Sequence, residues 1–177
     1  MTIQITSSEG RPVTDAALES LVARVYVEEA FTPPELAATL FAAKAVRARG
    51  ALLLAWTEGE REPVGMVIMV PPTSSARRIA RAGEAEMHLL AVDARHRTGG
   101  IGRRLIEAAV TEAHRAGCWG IVLWTQPAMH AAQRLYTACG FVRAPARDAQ
   151  IGALSGRTFL VYERVLDLQL RPARVDE

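Results

Sequence analysis

Val92-Asp93-Ala94-Arg95-His96-Arg97-Thr98-Gly99-Gly100-Ile101-Gly102-Arg103-Arg104-Leu105 ends one apolar run, turns through paired glycines and opens another apolar-periodic segment. A strand followed by a glycine turn and a helix start is a device for holding an anion. Glycines let the backbone come close to a ligand. The first N–H groups of a helix have no partner within it, and the aligned peptide dipoles place partial positive charge at that end. Arg97, Arg103 and Arg104 add full charges beside the turn.

Working outward, the segment before the turn (86–92) reads as a central strand, and residues 101–116 read as a helix with Leu105, Ala109 and Ala113 on one face and Gly117 as its stop. Residues 120–125 are β-branched and aromatic, a strand composition. Pro127 suits a first helical position, which predicts a helix from there to about Cys139, stopped by Gly140. Towards the N-terminus, residues 2–6 alternate as a short strand. Residues 15–30 have helical spacing behind Thr14, and Thr32-Pro33-Pro34 starts a helix over 35–49. The apolar runs 51–57 and 63–70 flank a turn-prone Glu-Gly-Glu and predict a hairpin. Strands are expected to begin at Phe141 and to span 158–165, with a loose tail over 171–177. Mixed strands and helices with both hairpins and crossovers predict an α/β (α+β) fold. The expectation is one domain over 1–170.

The 177 residues carry 21 basic and 19 acidic side chains, a net charge of +2, with 50% apolar residues. That balance argues against a nucleic-acid module, as does the lack of aromatics around the arginine cluster at 95–104. Cys118 and Cys139 show no metal-ligand spacing and read as small buried hydrophobes, so no metal is expected. No apolar stretch approaches a membrane span, and the start lacks an apolar signal core. The expected setting is cytoplasmic, without membrane or nucleic-acid partners, as a monomer or homodimer.

Several phosphate ligands use such a turn. A Walker loop needs Gly-Lys-Ser/Thr, which is absent. A dinucleotide fingerprint needs Gly-x-Gly-x-x-Gly, and Leu105 occupies the third glycine position. The pyrophosphate of coenzyme A remains. Arg97-Thr98-Gly99-Gly100-Ile101-Gly102 matches the R/Q-x-x-G-x-G/A signature of the GNAT acetyltransferases. Ala132-Gln133-Arg134-Leu135-Tyr136-Thr137-Ala138-Cys139-Gly140-Phe141 resembles the second signature of that family, in the right order and at a typical separation. Leu89-Leu90-Ala91-Val92 looks like its fourth strand. The close resemblance covers residues 86–142.

The resemblance implies a mixed, mostly antiparallel sheet of about six or seven strands flanked by helices. It also implies transfer of an acetyl group from acetyl-CoA directly to a primary amine of a small molecule or peptide. A non-catalytic acyl-CoA sensor of the same fold is the alternative. By resemblance, Leu90, Ala91 and Val92 present backbone groups to the pantetheine arm. Arg97, Thr98, Gly99, Gly100, Ile101, Gly102 and Arg103 hold the diphosphate, and Ala132 lets the cofactor approach its helix. Tyr136 is the implied acid for the leaving thiolate. Met129 stands where many members carry Asn, so that amide contact is not carried over. Strand alternation places Glu86, His88, Leu90 and Val92 on one face. Glu86 lies near the position of a carboxylate base in some relatives, with His88 or water as the other candidates. Glu28, Glu29 and Trp124 are candidates to meet the acceptor, though ordinary helix-end and strand roles suit them better. Arg77, Arg78 and Arg81 read as a solvated basic stretch rather than a grip on the 3′-phosphate.

Overall fold

Two uninterrupted apolar runs, Ala51–Thr57 (β2) and Gly65–Val70 (β3), are buried along almost their whole length. Strands that lack alternation must be covered on both faces, and these are. The computed structural model describes residues 2–166. Their strands form one seven-stranded sheet. Ile3–Ser7 (β1) pairs with β2, β2 with β3, and β3 with Glu84–Val92 (β4), all antiparallel. Gly120–Thr125 (β5) lies parallel to β4, and Leu160–Val165 (β7) runs antiparallel between β5 and the short Val142–Arg143 (β6).

One face is covered by Ile101–Arg115 (α4), whose Ile101, Leu105, Ile106, Ala109 and Ala113 join a core with Val67, Met87, Ile121 and Leu123. Each of the larger side chains among these contributes about 1.5–3 kcal/mol. Gly65 lets α4 lie close to the sheet, because a Cβ there would come within 3.1 Å of Leu105 and of the Ala91 carbonyl. The other face is covered by Asp15–Tyr26 (α1), Pro34–Leu40 (α2) and Ala43–Arg47 (α3), packed on Leu52, Leu54, Met66 and Ile68. His130–Ala138 (α5) and Asp148–Ser155 (α6) complete the helices.

Several boundaries differ from the sequence expectation. The helix expected over 15–30 ends at Tyr26, whose carbonyl accepts from the Thr32 amide at 2.7 Å. The helix expected over 35–49 is two helices. Phe41 buries itself against Tyr26, and Glu19 on α1 accepts from the Ala43 amide at 2.8 Å and so starts α3 afresh. α5 begins at His130 rather than Pro127, because residues 126–129 close a turn (Met129 N to the Gln126 carbonyl, 3.0 Å). β4 starts two residues early, at Glu84, and α6 falls in a stretch that carried no assignment. The tail expected over 171–177, and the domain end expected at 170, lie outside the described residues.

Candidate active site

The decisive feature is where β4 and β5 part. They pair only from Glu84↔Gly120 to Glu86↔Val122. Beyond that point no strand among the described residues opposes the β5 edge of β4, and a cavity of about 500 Å³ opens between them. Leu89 and Leu90 together oppose the single residue Val67, a β-bulge, with Leu89 at φ 51°. The bulge corrects the expected face assignment. Glu86, His88 and Ala91 share the α1 side with Met66 and Ile68, whereas Leu90 and Val92 turn towards the α4 side. One extra residue reverses the alternation.

The glycine turn follows β4. Asp93 is buried, caps a 3-10 turn over Ala94–His96, and is clamped by Arg95 and Arg24, which hold its carboxyl well below the usual range. Thr98 (φ 73°) and Gly100 (φ 80°) then adopt left-handed backbone. Among the described residues, the amides of Gly100, Ile101, Gly102 and Arg103 donate to no protein acceptor. Four free N–H groups at the start of a fifteen-residue helix make an anion cradle. Nothing lies within 4 Å of a Cβ built on Gly100, so space for a ligand exists there. Gly102 also serves packing, since a Cβ would meet Leu135 on α5 at 2.7 Å.

Two of the expected cofactor side chains are otherwise engaged. Arg97 donates from Nε to the Val92 carbonyl (3.1 Å) and grips the Glu29 carboxylate with both terminal nitrogens. Arg103 donates to the Ala138 carbonyl at 3.3 Å, near the end of α5. Their guanidinium groups brace the cradle. The Leu90 carbonyl already accepts from the Tyr26 hydroxyl at 3.0 Å. A carbonyl has a second lone pair, so Leu90 and Val92 keep capacity for the pantetheine arm. Ala132 packs on the α4-side core, partly exposed.

Tyr136 and His88 both line the cavity. Burial pushes the Tyr136 phenol well above its ordinary value, with Tyr26 and Tyr162 adding to the effect, so it is a proton donor at neutral pH. Glu86 does not line the cavity. It is fully buried, and its two oxygens accept from the amides of Arg78 (2.8 and 3.0 Å), Ile79 (2.5 Å) and Ala80 (2.6 Å) and contact His88 Nε2 at 2.7 Å. Burial alone would raise its pKa. The His88 bond and the amides of Ala80 and Ile79 outweigh that and hold it below the ordinary carboxylate value. His88 is pushed down by burial, up by Glu86, and down again by Arg49 and Arg78, with a net lowering. The neutral ring therefore donates Nε2–H to Glu86, leaving Nδ1 with its lone pair. Trp124 holds the ring edge-on at 4.7 Å between centroids.

The cavity is roofed by Leu36 and Leu40 from α2 and by Ile151 and Leu154 from α6. A strap closes it, in which Arg157 donates to the Phe31 carbonyl and to Gln126, each at 3.2 Å, and Gln126 donates to the same carbonyl at 2.7 Å. The expectation missed α6, Arg49 and Arg157 as site residues. No motif marks them, because they reach the cavity only through folding. Glu28 and Glu29 do not line it, and Trp124 does.

Fold and site together combine free amides at a helix start with an opening between two parting strands. A model of the Acetyltransferase (GNAT) family matches residues 16–141. An acetyltransferase of the GNAT family from Staphylococcus aureus superposes with a TM-score of 0.73 at 17% identity, covering 94% of this chain and all of that one. A Bacillus subtilis acetyltransferase in complex with CoA has a TM-score of 0.64 at 16% identity, and a PaiA N-acetyltransferase from Thermoplasma acidophilum in complex with coenzyme A has 0.66 at 15%. Each covers 94% of this chain and all of its own. No individually curated protein matches the chain. The chain belongs to the GNAT acetyltransferase family and is an acyltransferase that uses acetyl-CoA. No helix among the described residues is long and apolar enough to cross a membrane.

Proposed function

We propose that the protein transfers the acetyl group of acetyl-CoA to the primary amine of a small molecule in a ternary complex. The observation that carries this reading is the opening between β4 and β5, with a proton donor and a proton acceptor on the walls of one cavity. The free amides of Gly100 to Arg103 hold the diphosphate, and the unpaired edge of β4 holds the arm, so the thioester reaches the cavity past Leu90. Fixing both reactants in this way removes much of the entropic barrier.

His88 Nδ1 takes the proton of the incoming ammonium, while Glu86 fixes the ring and supports the imidazolium as it forms. This moves the role of base from Glu86, whose oxygens are filled, to its neighbour. The amine then attacks the thioester carbon. The tetrahedral intermediate collapses as the C–S bond breaks, Tyr136 passes its phenolic proton to the leaving sulfur, and the resulting phenolate takes the second proton that the nitrogen sheds as the amide forms, which restores Tyr136. The roof and strap favour a small acceptor over a protein surface.

The test is thiol release from acetyl-CoA with a panel of primary amines, comparing wild type with Tyr136→Phe. The expected result is a kcat loss on the order of 10²-fold or more with coenzyme A affinity retained. Coenzyme A binding without turnover on any amine would point to a sensor, and an unimpaired phenylalanine variant would remove Tyr136 from the mechanism.

A further inference from the structure

The charge lining the cavity is one-sided. Arg49, Arg78 and Arg157 line it together with His88, and among the described residues no acidic side chain does. By contrast, Arg24, Arg95, Arg97 and Arg147 each sit against carboxylates. Among the described residues neither the Arg49 nor the Arg78 guanidinium contacts a carboxylate; Arg78 reaches Glu86 only through its backbone amide. Arg49 is partly buried, and among the described residues its guanidinium makes one hydrogen bond, from Nη2 to the Leu40 carbonyl at 2.5 Å. Burial and the neighbouring Arg78 charge both lower its pKa, as expected of two cations facing one space. The carboxylate behind this wall, Glu86, is filled by amides and His88.

Partly burying an uncompensated cation is costly, so Arg49, with the exposed guanidinium groups of Arg78 and Arg157 on the same cavity wall, suits an anion. That anion is not the cofactor's diphosphate. Arg78 lies at the Glu86 end of β4, and the cradle lies beyond Val92, six strand residues or roughly 20 Å away. The opposing surface is apolar, made by Leu36, Leu40, Trp124, Ile151, Leu154 and Phe159.

We infer that the acceptor is an amino acid-like molecule, with the amine presented to His88, a free carboxylate held by Arg49 and Arg78, and an apolar side group against the α2–α6 roof. The inference rests on the transferase reading above. Guanidinium groups take carboxylates in paired hydrogen bonds. A polyamine would meet like charge with nothing to offset it.

The probes are L-leucine, L-methionine and L-phenylalanine, each beside its primary amide, which keeps the amine and side group but removes the negative charge. Two measurements are made on the coenzyme A-loaded or acetyl-CoA-supplied protein: calorimetric binding and kcat/KM from thiol release. The acids are expected to exceed their amides by tenfold or more in both. Arg78→Gln, whose side chain is exposed and whose fold-holding contact is a backbone amide, should erase most of that preference while coenzyme A affinity stays unchanged. Arg49→Gln should do the same where it folds. Amides bound as well as acids, or no binding of either, would overturn the inference. Acids bound selectively without acetyl transfer would uphold it and count against the transferase reading alone.

Discussion

A carboxylate surrounded by amide and imidazole donors is a poor proton acceptor and a firm support, and that separates the roles of Glu86 and His88. The neutral ring is the active form, and its pKa lies below the ordinary 6.5. The acid limb of kcat/KM should therefore fall below pH 6.5, with activity level above it. His88→Asn should abolish that limb and lower kcat by about 10²-fold or more. Glu86→Gln removes the group that raises the ring's pKa, so the limb should move lower still. Stability follows the same direction. Below about pH 6.5 the unfolded chain protonates this histidine and the folded chain does not, so stability is lost as pH falls through that range. The depressed Glu86 pKa adds a second loss below about pH 4.3. Thermal melts of wild type and His88→Asn across pH 4–8 read both effects, and a wild-type limb centred above pH 7 would remove His88 from the role of base.

Among the elements, the turn into α4 shows how local backbone geometry makes a site. Thr98 holds a left-handed conformation without being glycine, which costs about 1–3 kcal/mol, and so does Leu89 at the bulge. Both strained residues flank the path expected for the cofactor. Gly100→Val keeps the open space but forces a β-branched residue to φ 80°. It should lower stability by about 1–2 kcal/mol and weaken coenzyme A binding at least tenfold by calorimetry; unchanged affinity would mean that the diphosphate lies elsewhere. This turn was fully legible in the sequence, because glycines, strand and helix are adjacent there and the chemistry is backbone chemistry. The bulge was not, because no residue type announces it: Leu89-Leu90 continues an apolar run, and only pairing with Val67 reveals the extra residue. α6 was hidden for another reason. Its glycines and weak patterning argue against a helix, and it is anchored by Asp148, which pairs with Arg143 and accepts from the Val161 amide at 2.8 Å. The break between α2 and α3 likewise depends on Glu19, far away in sequence.

Across the whole molecule, the two halves of the cavity are tied by one buried cation. Arg147 lies between β6 and α6 and is 2% exposed. It meets both oxygens of Glu84 at 3.1 and 2.9 Å, Glu163 at 2.8 Å and the Ile79 carbonyl at 2.7 Å. The Ile79 amide is in turn one of the donors that fill Glu86, and Glu86 sets His88. The connection therefore runs from the α6 half of the roof, through one loop, to the proton acceptor. Arg147→Met keeps an unbranched apolar stem but leaves the Glu84 carboxylate buried without its partner, which should cost about 3–5 kcal/mol. Urea unfolding measures this directly. Adding Glu84→Gln to Arg147→Met removes the stranded charge and should return a large part of the loss, because the penalty belongs to the unpaired carboxylate rather than to the missing arginine. If Arg147 also positions the base, the double variant should fold well yet show a kcat/KM acid limb displaced from that of wild type. A double variant with wild-type stability and a wild-type pH profile would confine Arg147 to holding the strands together.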